Sequence, residues 1–185
     1  IVKTAEGAAQ GTETEMSYEI VNGVHELLPN ETLERLVHES MASVGGYTYT
    51  DQEREFAKQI AQSMDIELNE SIAQQVLPYQ KSQGAFGSTD VGDVSFVAPT
   101  VGFRTATWVP GTPAHSWQAV AAGGTGIGVK GMALAAKTLA LSAAKLYKSP
   151  RVIEMAKKEF EERRGKDFKY IPLLGNRPPA LDYRN

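Results

Sequence analysis

Three histidines and one acidic cluster are the groups in this chain whose types and spacing could do chemistry. His115 stands in Gly111-Thr112-Pro113-Ala114-His115-Ser116-Trp117, a loop expected between a core strand and a buried helix. In α/β sheets the space just beyond a strand end is where ligands collect. The same imidazole could instead bond the loop's own backbone, and spacing alone does not choose between the two. One histidine cannot hold zinc, which needs three or four protein ligands. His25, in Val24-His25-Glu26-Leu27-Leu28-Pro29, falls at a junction where a lone imidazole commonly satisfies nearby main chain. His38 lies beside the apolar stripe of a helix and reads as a surface residue.

The acidic cluster is Gly87-Ser88-Thr89-Asp90-Val91-Gly92-Asp93-Val94-Ser95. Ser88 can cap a helix that starts at Thr89, which puts Asp90 in the first turn, where the helix dipole favours an anion. Asp90 and Asp93, at i and i+3, share a face and could be presented to a metal or to a ligand's polar group. Capping alone explains the same residues. A third pattern, Gly126-Ile127-Gly128-Val129-Lys130-Gly131, matches the dinucleotide fingerprint but lacks the strand that must directly precede it. Small residues inside a helix let a neighbour pack closely, and that use suits the context better.

Composition narrows the classes. With no cysteine there is no disulfide framework, thiolate zinc site or cysteine nucleophile, and a reducing compartment such as the cytoplasm is compatible. A net charge of −3 from interspersed acids and bases argues against a nucleic-acid or anionic-membrane partner. The longest apolar run, residues 129–147, is interrupted by Lys130, Lys137 and Lys145, which a membrane span of about 20 residues would not readily accept. No signal-peptide pattern follows the opening Ile1-Val2-Lys3. The expectation is a soluble chain whose N-terminus has been cut.

The elements that must position these residues follow from period and punctuation. Residues 1–10 read as the tail of a helix stopped by Gly11, and residues 14–21 alternate like a strand with one wet side. Asn30 should cap an amphipathic helix with Leu33, Leu36, Val37, Ser40 and Met41 on one face, ended by Gly45-Gly46. Thr50-x-x-Glu53 is a capping box opening a second helix with the stripe Phe56, Ile60 and Met64. Residues 65–86 look irregular, with one short helix or strand near residues 72–77. Residues 100–109 are rich in β-branched and aromatic types and predict a strand. Residues 124–147 predict a long buried helix, broken at Ser149-Pro150, then a charged amphipathic helix over 151–164. The proline-bearing tail, 166–185, reads as an extended arm.

Gly87-Ser88-Thr89-Asp90 resembles the G-S-E-D motif of the aminoacylase and carboxypeptidase G family of zinc peptidases, with Thr89 in place of the usual Glu. The family order that follows, short helix, strand, a loop with the last zinc-ligand His, then a long apolar helix, is matched by residues 90–97, 100–109, His115 and 124–147. The more particular strings are Gly-Ser-Thr-Asp-Val-Gly-Asp-Val-Ser and Gly-Thr-Pro-x-His-Ser-Trp-Gln, and the resemblance covers essentially all 185 residues. It implies an α/β fold: residues 1–22 as the last helix and strand of an α+β lid that dimerises, and residues 23–185 as the C-terminal portion of a catalytic domain, a mixed sheet flanked by helices. It implies amide hydrolysis of an N-acyl amino acid, such as an aromatic acyl-glutamate, by two divalent metal ions, zinc by expectation. His115 would be a metal ligand, with Asp90, Ser88, Thr89 and Asp93 behind it or on the substrate side. The general-base Glu and the other ligands would lie in a missing N-terminal portion of the same polypeptide, so the piece alone would be metal-free and inactive, and the intact protein a homodimer. A non-catalytic scaffold or regulatory protein that keeps the fold is the alternative. The stretch 46–86 looks longer than in simpler members, which would reshape the substrate pocket.

Overall fold

The computed structural model describes residues 1–81, 89–178 and 181. Among them there are eight helices and no strand: α1 Val2–Gly11, α2 Glu31–Val44, α3 Asp51–Ser63, α4 Ser71–Gln74, α5 Val91–Ser95, α6 Trp117–Gly123, α7 Gly126–Lys148 and α8 Pro150–Arg164. The expected mixed sheet, and with it the α/β assignment, is therefore corrected to a helical architecture.

Local chemistry explains the helices that formed where expected. Asn30 is 2% exposed; its Oδ1 accepts from the Leu33 amide at 3.1 Å, and its Nδ2 donates to the Ala156 carbonyl at 2.9 Å. One side chain thus caps α2 and ties it to α8. Leu33, Leu36, Val37 and Ser40 of α2 are buried, and the helix stops at Gly45, whose φ of 79° suits a residue without Cβ. At α3 the capping box is complete: Thr50 Oγ1 accepts from the Glu53 amide at 3.2 Å, and the Thr50 amide donates to Glu53 Oε2 at 2.7 Å. Pro150 opens α8, which buries Ala156 and Phe160. A proline there loses no helical bond.

The core gathers Tyr49, Ala57, Ile60, Ala73, Val109, Ala122 and Ile127 from α3, α4, α6, α7 and the connections between them. Ile127 and Val109 are 0% and 1% exposed, a burial that contributes roughly 1.5–3 kcal/mol each. A second layer is formed by α2 packed on α7 and α8.

The two expected strands fail for the same reason. Residues 14–21 and 100–109 form no regular element, with a bend at Trp108, and no backbone ladder joins either to another segment among the described residues. Alternating polarity prescribes two different faces and does not supply the neighbour that a strand needs to satisfy its amides. Residues 14–21 are exposed apart from half-buried Met16; the helix expected over residues 1–10 forms as α1, and the strand expected after it does not form. Along 100–109, Val101, Phe103, Thr105, Ala106 and Thr107 are half-buried and Val109 is buried, while Gly102, Arg104 and Trp108 are exposed. The segment is held by α7. A Cβ on Gly131 would strike the Ala106 carbonyl and lie 2.9 Å from Thr107 Cγ2, and the Tyr47 hydroxyl donates to the same Ala106 carbonyl at 2.5 Å. The glycines of the dinucleotide-like pattern are thus close-packing positions.

Three further expectations change. The loop after residue 111 contains a helix, α6, because Ser116 caps it and Gly124-Thr125 separates it from α7. Helix α5 begins at Val91, not at Thr89. Helix α7 is not buried all round: Val129, Met132 and Leu139 are more than half exposed. By length and composition alone α7 could cross a membrane.

Candidate functional site

His115 is held in an unusual backbone. Val109, fixed in the core, accepts a bond from the Thr112 amide at 3.1 Å, and Gly111 turns the chain at φ 87° with Ile66 Cδ1 where a side chain would be. At the other end Ser116 accepts from the Ala119 amide at 3.2 Å and donates to the Pro113 carbonyl at 2.7 Å. Between these anchors His115 sits at φ 61°, the left-handed region. That conformation costs an L-residue roughly 1–2 kcal/mol. Its side chain is exposed and has no hydrogen-bond partner among the described residues. Of the two sequence alternatives, a loop imidazole bonded to backbone is not what the geometry has. The ring borders an open recess of about 610 Å³ with Trp108, Ser116, Trp117, Ala119 and Val120.

The acidic cluster lies on a different construction. Gly87 and Ser88 fall outside the described residues, and with them the expected Ser88 cap. Thr89 Oγ1 accepts from the Val91 amide at 3.3 Å, and Asp90 stands exposed at the N-cap position of α5 without a capping bond from its side chain. Asp93 is occupied: it accepts from the His25 amide at 3.3 Å and from the Tyr170 hydroxyl at 2.8 Å. Ser95 accepts from the Leu28 amide at 2.8 Å, and Gly92 lies so close to the His25 carbonyl that a Cβ would overlap it. Helix α5 is therefore pinned to residues 25–28. The His25 ring completes the clasp against Phe96 at 5.0 Å and Tyr170 at 5.6 Å, with Nε2 3.4 Å from the Ile171 carbonyl. This matches the structural reading of that histidine. The bond to Asp93, with some burial, raises the Tyr170 phenol above its ordinary pKa.

Neither Thr89, Asp90 nor Asp93 borders the recess of His115. Among the described residues no three His, Asp or Glu side chains gather as a metal site. His38 is half-buried rather than on the open surface; its Nε2 is 3.0 Å from the Leu77 carbonyl, beside the Tyr79 ring at 5.7 Å. Near the core, Lys130 of α7 pairs with Glu53 at 2.5 Å and donates to the Thr48 carbonyl at 2.9 Å. Partial burial pushes the Glu53 carboxyl up, but Lys130 and the Thr50 bonds outweigh it and hold it below the usual range.

Sequence reasoning missed Arg104, Trp108 and Trp117. Arg104 and Trp108 line a second recess, with residues 110–112 and Ala114, and Trp108 belongs to both recesses. The sequence signal was slight: Arg104 and Trp108 stand four apart in one segment, and Trp117 follows His115 by two.

The chain is 29% identical over 205 aligned residues to one of the subunits of p-aminobenzoyl-glutamate hydrolase from Escherichia coli (strain K12). The alignment covers 97% of this chain and 43% of that protein, so the chain spans less than half the length of the relative it matches. No family model matches. No solved structure matches.

Proposed function

We propose that this chain is part of a metal-dependent amidohydrolase that cleaves the amide bond of N-acyl amino acids of the p-aminobenzoyl-glutamate kind, and that His115 is its contribution to the metal site. The observation that carries the proposal is the placement of His115: exposed, unbonded and held in a costly backbone conformation, within a chain similar along almost its whole length to part of a hydrolase. Conformational cost of this kind collects at functional sites.

The described residues do not fit a zinc ion by themselves, because three or four protein ligands are needed and no three come together. What its residues offer is an imidazole whose ring nitrogens are both open to a ligand or a hydrogen-bond acceptor. The bonds at Val109 and Ser116 anchor the loop that carries it. On this reading the remaining ligands and the general base belong to polypeptide outside these 185 residues, and the chain alone is inactive. Dimerisation, zinc as the metal and a cytoplasmic location belong to the same proposal and rest on the resemblance alone. Asp90, exposed and free of a capping role, is proposed on the substrate side; Asp93 acts by holding α5 in place.

The test is hydrolysis of p-aminobenzoyl-glutamate by the complete gene product, with and without His115→Ala. Loss of turnover with folding intact is expected. Undiminished turnover would remove His115 from the site. A complete gene product with no turnover, and no metal uptake, would favour the scaffold reading instead.

A further inference from the structure

The recess beside His115 has a composition that its proposed metal role does not use. Trp117 and Val120 are 63% and 79% exposed and Trp108 is 37% exposed, so three large apolar side chains from two elements surround one open space. Two of them are indoles. Exposed indoles that line a concavity favour a flat, electron-poor or aromatic partner, because ring stacking adds to the area they bury. Beyond Trp108 the second recess runs to Arg104, which makes no ion pair or hydrogen bond among the described residues. Arg104 and Trp108 line this recess together, so a cationic group and an indole share one concavity. A long cationic side chain there suits a carboxylate, by charge and by its planar fork of donors.

We propose that the two recesses form one ligand subsite, in which Trp108 and Trp117 take an aromatic acyl group and Arg104 takes a carboxylate of the attached amino acid. The assignment deepens the function proposed above and rests on it for the substrate class. It adds three residues that set specificity. An N-aroyl amino diacid satisfies both ends, an N-acetyl amino acid only the carboxylate end, and a neutral arylamide only the ring end.

The chain contains two tryptophans, and both line the subsite, so its intrinsic fluorescence reads the recess directly. The 185-residue protein would be titrated with N-benzoyl-glutamate, N-acetyl-glutamate and benzamide, with emission recorded at each step. Saturable quenching by N-benzoyl-glutamate is expected, weaker by about tenfold for benzamide and absent for N-acetyl-glutamate. Trp117→Ala should weaken N-benzoyl-glutamate by about tenfold, followed through Trp108, and Arg104→Gln should bring its affinity down to that of benzamide. All three positions are solvent-facing, and circular dichroism would verify that the variants fold. Absence of saturable quenching overturns the subsite, as does an unchanged affinity in Trp117→Ala or an unchanged preference in Arg104→Gln. Failure here is separable from failure of the hydrolase reading. A complete gene product that loses turnover with His115→Ala while this protein ignores N-benzoyl-glutamate would sink the subsite alone. Saturable binding together with a fully active His115→Ala enzyme would sink the metal-ligand role alone.

Discussion

The carboxylate of Glu159, on α8, caps the first turn of α2 at Thr32. One oxygen accepts from the Thr32 amide at 2.9 Å and from its hydroxyl at 2.7 Å, and the other accepts from the Glu31 amide at 2.7 Å. Arg163 pairs with the same carboxylate at 2.8 Å. An anion at a helix N-terminus meets unpaired amides and the positive end of the dipole.

These contacts give a pH prediction whose sign is fixed. Burial raises the Glu159 carboxyl, but the Thr32 hydroxyl, the two amides and Arg163 outweigh it and leave the folded pKa below the ordinary value. Glu31 is lowered further, to about 2, by bonds to Lys81 and Arg35. A depressed folded pKa means that the unfolded chain takes up protons first as pH falls. The stabilisation is full above the ordinary carboxylate range and drains away through and below it. Urea titrations from pH 7 to pH 3 should show a steady fall in the midpoint, and Glu159→Gln should flatten part of that slope while costing about 1–2 kcal/mol at pH 7. An equal slope in the variant would contradict the assignment.

Asn30 joins the same two helices by a different route. Asn30→Ala removes the cap on Leu33, worth about 1 kcal/mol, and leaves the Ala156 carbonyl without its donor, worth about another 1 kcal/mol. A loss near 2 kcal/mol in urea unfolding is expected. Asn30→Ser, which can cap but cannot reach Ala156, should recover about half. Recovery of the full stability by serine would show that the link to α8 contributes nothing.

Asn30 and Thr50-x-x-Glu53 were legible because a cap is a local event: the side chain and the amides it satisfies lie within one turn. The α2 stripe was legible for the same reason. Residues 14–21 and 100–109 were not, because pairing depends on a neighbour that no short window of sequence contains. The strand expectation for 100–109 rested on its β-branched and aromatic types, and that composition does not mark Arg104 and Trp108 as the lining of a recess. At the candidate site His115 could be singled out by its loop, whereas its left-handed backbone and unbonded ring are consequences of how Val109 and Ser116 are anchored. Asp93 looked like a ligand-facing acid at i+3 from Asp90. Its engagement with His25 and Tyr170 spans 68 and 77 residues of chain, a separation no local rule reaches.

Gly131 supplies a packing test. Gly131→Ala drives a methyl into the Ala106 main chain, which cannot move aside as a flexible side chain would. A loss of roughly 1–3 kcal/mol is expected. Gly123→Ala, where nothing lies within 4 Å, should be neutral or slightly stabilising. Because Ala106 is two residues from Trp108, Gly131→Ala should also shift tryptophan emission, and Gly123→Ala should not. Equal stabilities for the two variants would refute the close approach of α7 to Ala106 and Thr107.

The backbone at His115 separates a structural role from a functional one. If φ 61° is imposed by the anchors at Val109 and Ser116, a glycine should occupy the position with less strain than any residue bearing Cβ. His115→Gly is therefore expected to exceed His115→Ala in stability by about 1 kcal/mol, with the wild-type protein close to the alanine variant because the exposed ring makes no bond to lose. Thermal unfolding of the three proteins measures this directly. In the complete gene product the same two variants should be equally devoid of turnover, since both lack the imidazole. Stability would then rise with glycine while activity fell, the pattern of a residue retained for chemistry at a cost to the fold. A wild-type protein markedly more stable than both variants would instead make His115 a structural residue, its ring held by contacts and its backbone merely tolerated.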